Sequence, residues 1–595
     1  MLKDSDLGQD GLLRVISTLF PFIIERGMLT RMMQTPSTLK NRVAFWIAVG
    51  LCGFVSIVLR IIFINERSLW FDEASSWLTA QFPPNQLFDS LRQSTHVPLY
   101  YPILRIWMAV FGDSPVALRG MSVMFGLATV AGCGFLGRKL FESMMPQHES
   151  SQARWFGIFC ASLCGLNAFQ VLASVEARMY SLGTMLQVLS TIATLNVAAA
   201  PHQKRRWLWL VAVTLASLYT HHFLALTAGI NAMWLLWVMM NPTRVSASGG
   251  CQSSDAESSI AFVVELPVYP ETDVSGSPLV IHGHNSGLRY WMTAIGCVAV
   301  LWLPGLLLWW IQLNRVHRDF WIEPMTRWSV LETCFDFFFS PPPGRRSEFH
   351  LAGLAPAVVV AALMLRLLPK LRTTLSLFWM QAILPLAAIA VVSQYTPLWE
   401  SRYFRFSHVS LLICIALSIW TISPRTNLRI ALCVVAICVS LAGSIAFWDS
   451  RDIPNRQAVR GAMEMIARSD EKSHAGPGIH QRPVVVLSPM DFIIARYYAR
   501  QLQWPDDRVK LWTGQERLPG AAVHLIKRTD WWEPDSKSNQ DDRIWILWTN
   551  KSPIDIDDLV PLGEHDIQFP SDTFLGEWTV YAAQIPQNRV QSEVQ

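Results

Sequence analysis

Charge is what this chain has least of. Asp, Glu, Lys and Arg make up 16% of its 595 residues, against about 25% in an ordinary soluble domain. With 51% apolar residues, that shortfall excludes a soluble globular protein and implies an integral membrane protein. A nucleic-acid surface is also missing, because the net charge of +4 is small and spread among many loops. No CxxC or Cys/His spacing suggests a zinc site or a disulfide framework. Cys52, Cys133, Cys160, Cys164, Cys297, Cys414, Cys433 and Cys438 lie in apolar runs and read as small core residues. No phosphate loop of the GxxxxGKS/T kind occurs, and no repeat of fixed period is visible. The first apolar run has no small-residue cleavage site behind it. Residues 1–42, with Lys3, Arg14, Arg26, Arg31 and Lys40, therefore read as a cytoplasmic segment ahead of an uncleaved first helix.

What the chain does have is long apolar stretches. A membrane-spanning helix needs about 17–25 mostly apolar residues. Segments 43–64, 116–136, 155–175, 179–199, 207–219, 224–240, 290–313, 351–368, 373–393, 403–422 and 428–447 are candidates, about eleven in all. Many of the 26 tryptophans flank them, as interfacial belts require. Two shorter pieces, 75–82 and 98–111, are expected to lie along the membrane surface. Counting from a cytoplasmic start, the even connections carry Arg138-Lys139, Lys204-Arg205-Arg206, Arg244 with Arg289, Arg366 with Lys370, and Arg425 with Arg429. All obey the positive-inside bias. Residues 241–289, rich in Ser, Gly and Pro, read as a flexible cytoplasmic insertion. Residues 449–595 hold strand-like runs at 483–488, 543–548 and 578–583 with helical pieces between them, and read as a small α/β domain outside the cytoplasm.

The same topology gathers scattered polar residues on the outer face: Asp72, Glu73, His96, Glu176, Arg178, His221, His222, Glu400, Arg402 and Tyr403. A carboxylate near hydrocarbon is costly, so a persistent pair needs a reason. Asp72 and Glu73 lie about 100° apart around a helix, so one can face a cavity while the other caps, pairs or binds a metal. The plain alternative is an N-capping pair at a helix start. His96 precedes Pro98, Tyr100 and Tyr101; it suits a phosphate or metal contact, or an interfacial turn. Glu176 and Arg178 form either a structural pair or a phosphate-holding group, for which a planar guanidinium is well shaped. His221 and His222 are adjacent and cannot chelate one ion as an i,i+4 pair does. Arg402 is a second candidate for phosphate or sugar. Arg60 is expected to snorkel to the outer interface.

In order along the chain, Trp70-Phe71-Asp72-Glu73-Ala74, His96-Val97-Pro98-Leu99-Tyr100-Tyr101, Phe111-Gly112-Asp113-Ser114-Pro115 and Ala117-Leu118-Arg119 resemble the polytopic GT-C glycosyltransferases. Within them the chain looks like the branch of protein O-mannosyltransferases and lipid A aminoarabinose transferases (bacterial glycosyltransferase family 39-like). Glu176-Ala177-Arg178-Met179-Tyr180 and Thr220-His221-His222-Phe223 also resemble bacterial members. The match runs over about 66–240 and weakens to 450. Val97 stands where the family usually has a proline, and Thr95-His96 replaces the acid and lysine of the aminoarabinose transferases, so their acceptor is not carried over.

The resemblance implies a polytopic α-helical GT-C membrane domain over 43–448 with external surface helices; the C-terminal α/β domain rests on the strand-like runs of 449–595 alone. It implies a polyprenyl-phosphate-linked sugar donor and a catalytic role for Asp72 with Glu73 beside it. His96, Tyr100, Glu176, Arg178, Tyr180, His222, Arg402 and Tyr403 are the expected substrate or donor-phosphate contacts. The expected reaction is inverting transfer of a hexosyl or pentosyl group to an extracytoplasmic lipid, glycan or protein, in a bacterial inner membrane. No cofactor is required by this chemistry; a divalent metal is left open, with Glu73, His96, His221 or His222 as its ligands. A transporter or lipid-linked-sugar flippase is the alternative class. It is disfavoured because no inverted pair of broken spans stands out and the ionisable residues sit at one face.

Overall fold

The computed structural model describes residues 39–62, 64–65, 68–145, 150–241, 283–316, 322, 324–339, 352–371, 373–423, 425–449, 458–473, 483–486, 488–512, 525–526, 530–532, 543–549, 566–568 and 580–586. Most of the N-terminal segment and of the 241–289 insertion, with parts of the tail, lie outside the described residues. The helices in chain order are α1 (Leu39–Ile61), α2 (Phe71–Gln81), α3 (Pro84–Gln93), α4 (Tyr100–Phe111), α5 (Pro115–Met144), α6 (Ser150–Leu166), α7 (Ala168–Ser174), α8 (Tyr180–Ala199) and α9 (Lys204–Leu218). They continue with α10 (Leu224–Met240), α11 (Gly283–Val316), α12 (Ser329–Phe339), α13 (Leu354–Leu367), α14 (Thr373–Val392), α15 (Arg405–Trp420), α16 (Thr426–Asp449), α17 (Ala458–Ser473) and α18 (Pro489–Gln501).

Each of the eleven apolar segments is helical. By length and composition, however, six helices among the described residues can cross a membrane, or seven if a bent pair counts as one span. α9 and α13, at 15 and 14 residues, fall short, and the apolar parts of α1 and α10 are shorter helices too. The bent pair is α6 and α7, expected as one straight span and broken by 65°. Asn167 makes the break: its side chain accepts from Gln170 N to cap α7 and donates to Phe337 O at 2.8 Å. The break frees carbonyls at the end of α6. Arg60 takes one, donating to Gly165 O at 2.8 Å and to Ser56 O at 2.9 Å. It is 1% exposed, so it is anchored inside the bundle rather than reaching for the interface. Two helices missed in the sequence, α3 and α12, are amphipathic and short.

Packing in the bundle follows membrane rules, in which small residues allow backbones to approach. A Cβ on Gly134 of α5 would meet Gly157 O of α6 at 3.1 Å. A buried polar lock joins four helices: Gln381 of α14 donates to Asn231 of α10 at 2.6 Å and to Thr191 of α8 at 3.1 Å, and accepts from Ser410 of α15 at 2.8 Å. All the described cysteines are free, and Cys297 and Cys438 are exposed rather than buried.

The tail forms a six-stranded sheet from β1 (Val484–Val486), β2 (Val509–Trp512), β3 (Trp531–Trp532), β4 (Arg543–Thr549), β5 (Asp566–Gln568) and β6 (Val580–Pro586), in the order β3-β2-β1-β4-β6-β5. β1 lies parallel between β2 and β4, with Val484 opposite Val509 and Trp545. β6 is antiparallel to both β4 and β5. The Val484-Val485-Val486 run is at most 1% exposed, as a central strand requires. α18 packs against β1 and β2 and also against α2. α18 starts with Ser488 accepting from Asp491 N and with Pro489 in its first turn.

Candidate active site

The site is built on the short loop before α2. Trp70 is extended, with φ −95° and ψ 173°, and Phe71 begins the helix. Trp70 N donates to Glu73 Oε2 at 3.3 Å, so the capping role open to this acidic pair falls to Glu73. Glu73 does more than cap. Arg119 of α5 donates to its Oε1 from Nε at 2.8 Å and to its Oε2 from Nη2 at 2.6 Å, and Ala177 N donates to Oε1 at 2.8 Å. Both members of this ion pair are buried, at 5% and 1% side-chain exposure. Arg119 also donates to Ile64 O and Ser68 O at 2.8 and 2.7 Å. One forked pair thus ties the loop, α5 and the 175–179 turn together.

That turn presents Arg178, whose guanidinium donates to Asp72 O and Ser76 Oγ, each at 3.1 Å. Its Nη2 lies 3.7 Å from Asp72 Oδ2. Burial alone would lower the Arg178 pKa; Asp72, together with Tyr180 and Tyr101, outweighs it and holds the group above its ordinary value. Arg402, in the 3₁₀ turn Ser401–Phe404, reaches the same Oδ2 at 3.4 Å, with Glu400 Oε1 at 3.7 Å from its Nε. Its guanidinium also lies over the Trp70 ring, 5.8 Å from the centroid. Asp72, Arg178 and Arg402, drawn from three distant parts of the chain, therefore meet. Asp72 keeps 22% side-chain exposure, so its carboxylate is accessible while both cations are held.

Around this centre, Glu176 pairs with Arg405 at 2.9 Å, and Arg405 lies 4.9 Å from the Tyr180 ring. Glu176 thus pairs with Arg405 and not with Arg178. His221 packs among Tyr180, Tyr403 and Phe406 at ring distances of 5.8, 5.6 and 5.0 Å. Burial, then the charges of His222, Arg178 and Arg402, push His221 below the usual histidine range. His96 Nε2 lies 3.2 Å from Arg178 Nη2. A guanidinium only donates, so Nε2 accepts and a neutral His96 carries its proton on Nδ1. His222 Nε2 donates to Gln312 Oε1 at 2.7 Å, and Gln312 Nε2 donates to His96 O and Leu91 O, each at 2.8 Å. Gln312 of α11 thereby links the two histidine loops. Tyr100, expected among the substrate contacts, is 1% exposed in an apolar cluster with Trp77 and Phe492.

The four residues considered for a metal do not make a ligand set. Glu73 is committed to Arg119 and two amides, His96 faces Arg178, and His222 faces Gln312. No group of three His, Cys, Asp or Glu suited to a metal occurs among the described residues. Arg119, Arg405, Gln312 and Ser76 are the site residues that sequence reasoning did not assign a role. Arg119 alone had a signal, its place in the Ala-Leu-Arg pattern.

No family model matches the chain, and no curated protein matches it in sequence. Solved structures do match. The apo structure of ArnT from Cupriavidus metallidurans aligns over 90% of this chain and 97% of its own, with a TM-score of 0.51 at 12% identity. The same protein bound to undecaprenyl phosphate gives 0.50 over the same shares, also at 12% identity. The fold is that of the GT-C glycosyltransferases. The apo oligosaccharyltransferase of Archaeoglobus fulgidus aligns at a TM-score of 0.42 and 11% identity, over 85% of this chain and 70% of that one, too low to add to the assignment. The GT-C likeness is one of fold, and it agrees with the apolar helices in marking an integral membrane protein.

Proposed function

We propose that the chain is a membrane glycosyltransferase that moves a hexosyl or pentosyl group from a polyprenyl-phosphate carrier to an extracytoplasmic lipid, glycan or protein acceptor, with inversion. The observation that carries this reading is the half-open Asp72 carboxylate between Arg178 and Arg402, at 3.7 and 3.4 Å. A sugar joined to a lipid phosphate already has an anionic leaving group, so the reaction needs a base for the acceptor hydroxyl and cations for the departing phosphate. Asp72 is the base. Arg178 and Arg402 hold the donor phosphate, which takes over guanidinium donors that otherwise face Asp72 and leaves the carboxylate to the acceptor. Glu73 and Arg119 are positioning residues: they aim the loop and touch no substrate. Glu176, Tyr180, Tyr403, His96 and His222 line or brace the donor side, and Tyr100 serves packing.

In this reading residues 43–448 form the transferase domain and 449–595 an α/β domain, with the site and tail outside the inner membrane of a bacterium. The undecaprenyl phosphate in the ArnT complex supports a carrier of that class here. The test is turnover by purified protein in lipid with a panel of undecaprenyl-phosphate-linked hexoses and pentoses, following release of undecaprenyl phosphate. Release that depends on Asp72 supports the reading; none from any donor, with the protein folded, sinks it.

A further inference from the structure

The C-terminal unit is not merely tethered to the membrane domain. Residues 68–70 have no regular secondary structure, so their backbone groups need partners from elsewhere. Arg119 supplies one side by binding Ser68 O. The tail supplies the other: Leu69 N, in a residue 0% exposed, donates to the Tyr498 hydroxyl of α18 at 2.8 Å. Leu69 stands three residues before Asp72.

Further along α2 the contact is equally specific. Trp77 Nε1 donates to Asp113 Oδ2 at 3.0 Å, and Tyr497 donates to Asp113 O at 2.8 Å. The Trp77 and Tyr497 rings meet edge to face at 5.1 Å and 89°. Gln501 donates to Asp113 Oδ1 at 3.1 Å, and Arg500 bonds to Gln81. Asp113 sits immediately before Ser114, the cap of α5, the helix that carries Arg119. The tail therefore grips both elements whose ion pair sets the loop.

We propose that the C-terminal unit is part of the scaffold of the reaction centre, and that Tyr498 is a positioning residue that fixes, through Leu69, the loop leading into the first turn of α2, where Asp72 sits. This rests on the transferase reading and on Asp72 as its base. Tyr498 touches Leu69 and acts on the reaction only through the loop. Loss of its hydroxyl leaves a buried amide unpaired and lets the carboxylate wander, and small misplacements of a reacting group cost about 10²-fold at worst. Donor affinity should hold, because Arg178 keeps Ser76 and His96, and Arg402 keeps Glu400, none of them in the 68–72 segment.

The test is Tyr498→Phe in the full-length protein in lipid nanodiscs. Hydrogen exchange of the peptide around 66–76 should quicken, kcat should fall roughly tenfold, and KM for the undecaprenyl-phosphate sugar that turns over should stay constant. In an Asp72→Asn background the same change should cost nothing more. Unchanged exchange, unchanged kcat, or an equal loss in both backgrounds would overturn the proposal. If Tyr498→Phe does not fold, Arg500→Ala with Gln501→Ala loosens the Asp113 grip from exposed positions, and the same readouts apply. Full turnover by Asp72→Asn would instead sink the base assignment. No turnover by the unaltered protein would sink the transferase reading, and the exchange result would still decide whether the tail clamps the loop.

Discussion

Adjacent in the chain, Asp72 and Glu73 occupy opposite environments: Glu73 is 1% exposed in a forked pair with Arg119, whereas Asp72 keeps 22% exposure and shares one oxygen with Arg178 and Arg402. Isosteric changes at the two positions should therefore fail differently. Asp72→Asn should express and insert normally while transfer drops by about 10²–10⁴. Glu73→Gln leaves Arg119 buried without its charge partner, a loss of about 3–5 kcal/mol, so it should unfold at lower temperature as well as lose activity. Paired activity and thermal-unfolding measurements decide; a stable, active Asp72→Asn would remove the base assignment.

The two arginines at Asp72 should separate binding from folding. Lysine keeps the charge but lacks the planar fork. Arg178→Lys and Arg402→Lys should each weaken undecaprenyl phosphate binding about tenfold or more with little change in thermal stability. Binding measured in nanodiscs tests this, and an unchanged Kd for either variant would take that arginine away from the phosphate.

Acid should destabilise the fold around the histidine pair. Burial lowers His222 to about 4, against the opposing hydrogen bond to Gln312. A histidine depressed in the folded state binds its proton more readily when unfolded, so its stabilisation is complete above about pH 6.5 and is lost as pH falls toward 4. For His222 alone this is at most about 3 kcal/mol, less any screening by the solvent that its partly exposed side chain meets. Thermal midpoints from pH 7 to 4.5 should fall, and His222→Gln should flatten the slope. Identical slopes would place the acid response elsewhere.

Orientation has its own check. His202 and Asp506 are both exposed, and the charge bias sets them on opposite sides of the membrane. In a background without native cysteines, Cys at 506 should react with an impermeant reagent added outside, and Cys at 202 should not. The reverse pattern would invert the topology.

The meeting of Asp72, Arg178 and Arg402 was legible because charge is rare in this chain: with the basic loops assigned to one side, all three are expected on the other. Partner choice was not legible. Glu176 lies two residues from Arg178 yet pairs with Arg405, and Glu73 pairs with Arg119, because those pairings depend on how helices pack. Nor did apolar runs reveal the break at Asn167, where a side-chain cap rather than a proline or glycine turns the chain. Gln312 lies near the end of a long apolar helix, and Tyr498 belongs to a segment with no sequence resemblance to the family; neither carries a local signal.

The Leu69–Tyr498 bond joins residues 429 positions apart. Synthesis proceeds from the N-terminus at about 5–20 residues per second, so this loop waits on the order of twenty seconds or more for its partner to be made. The segment before Asp72 is made early and lacks the Tyr498 bond until α18 has been made and folded. With Tyr498 positioning the loop as proposed, a nascent or truncated chain would hold it through Arg119 alone, and competence to react would mark completed assembly.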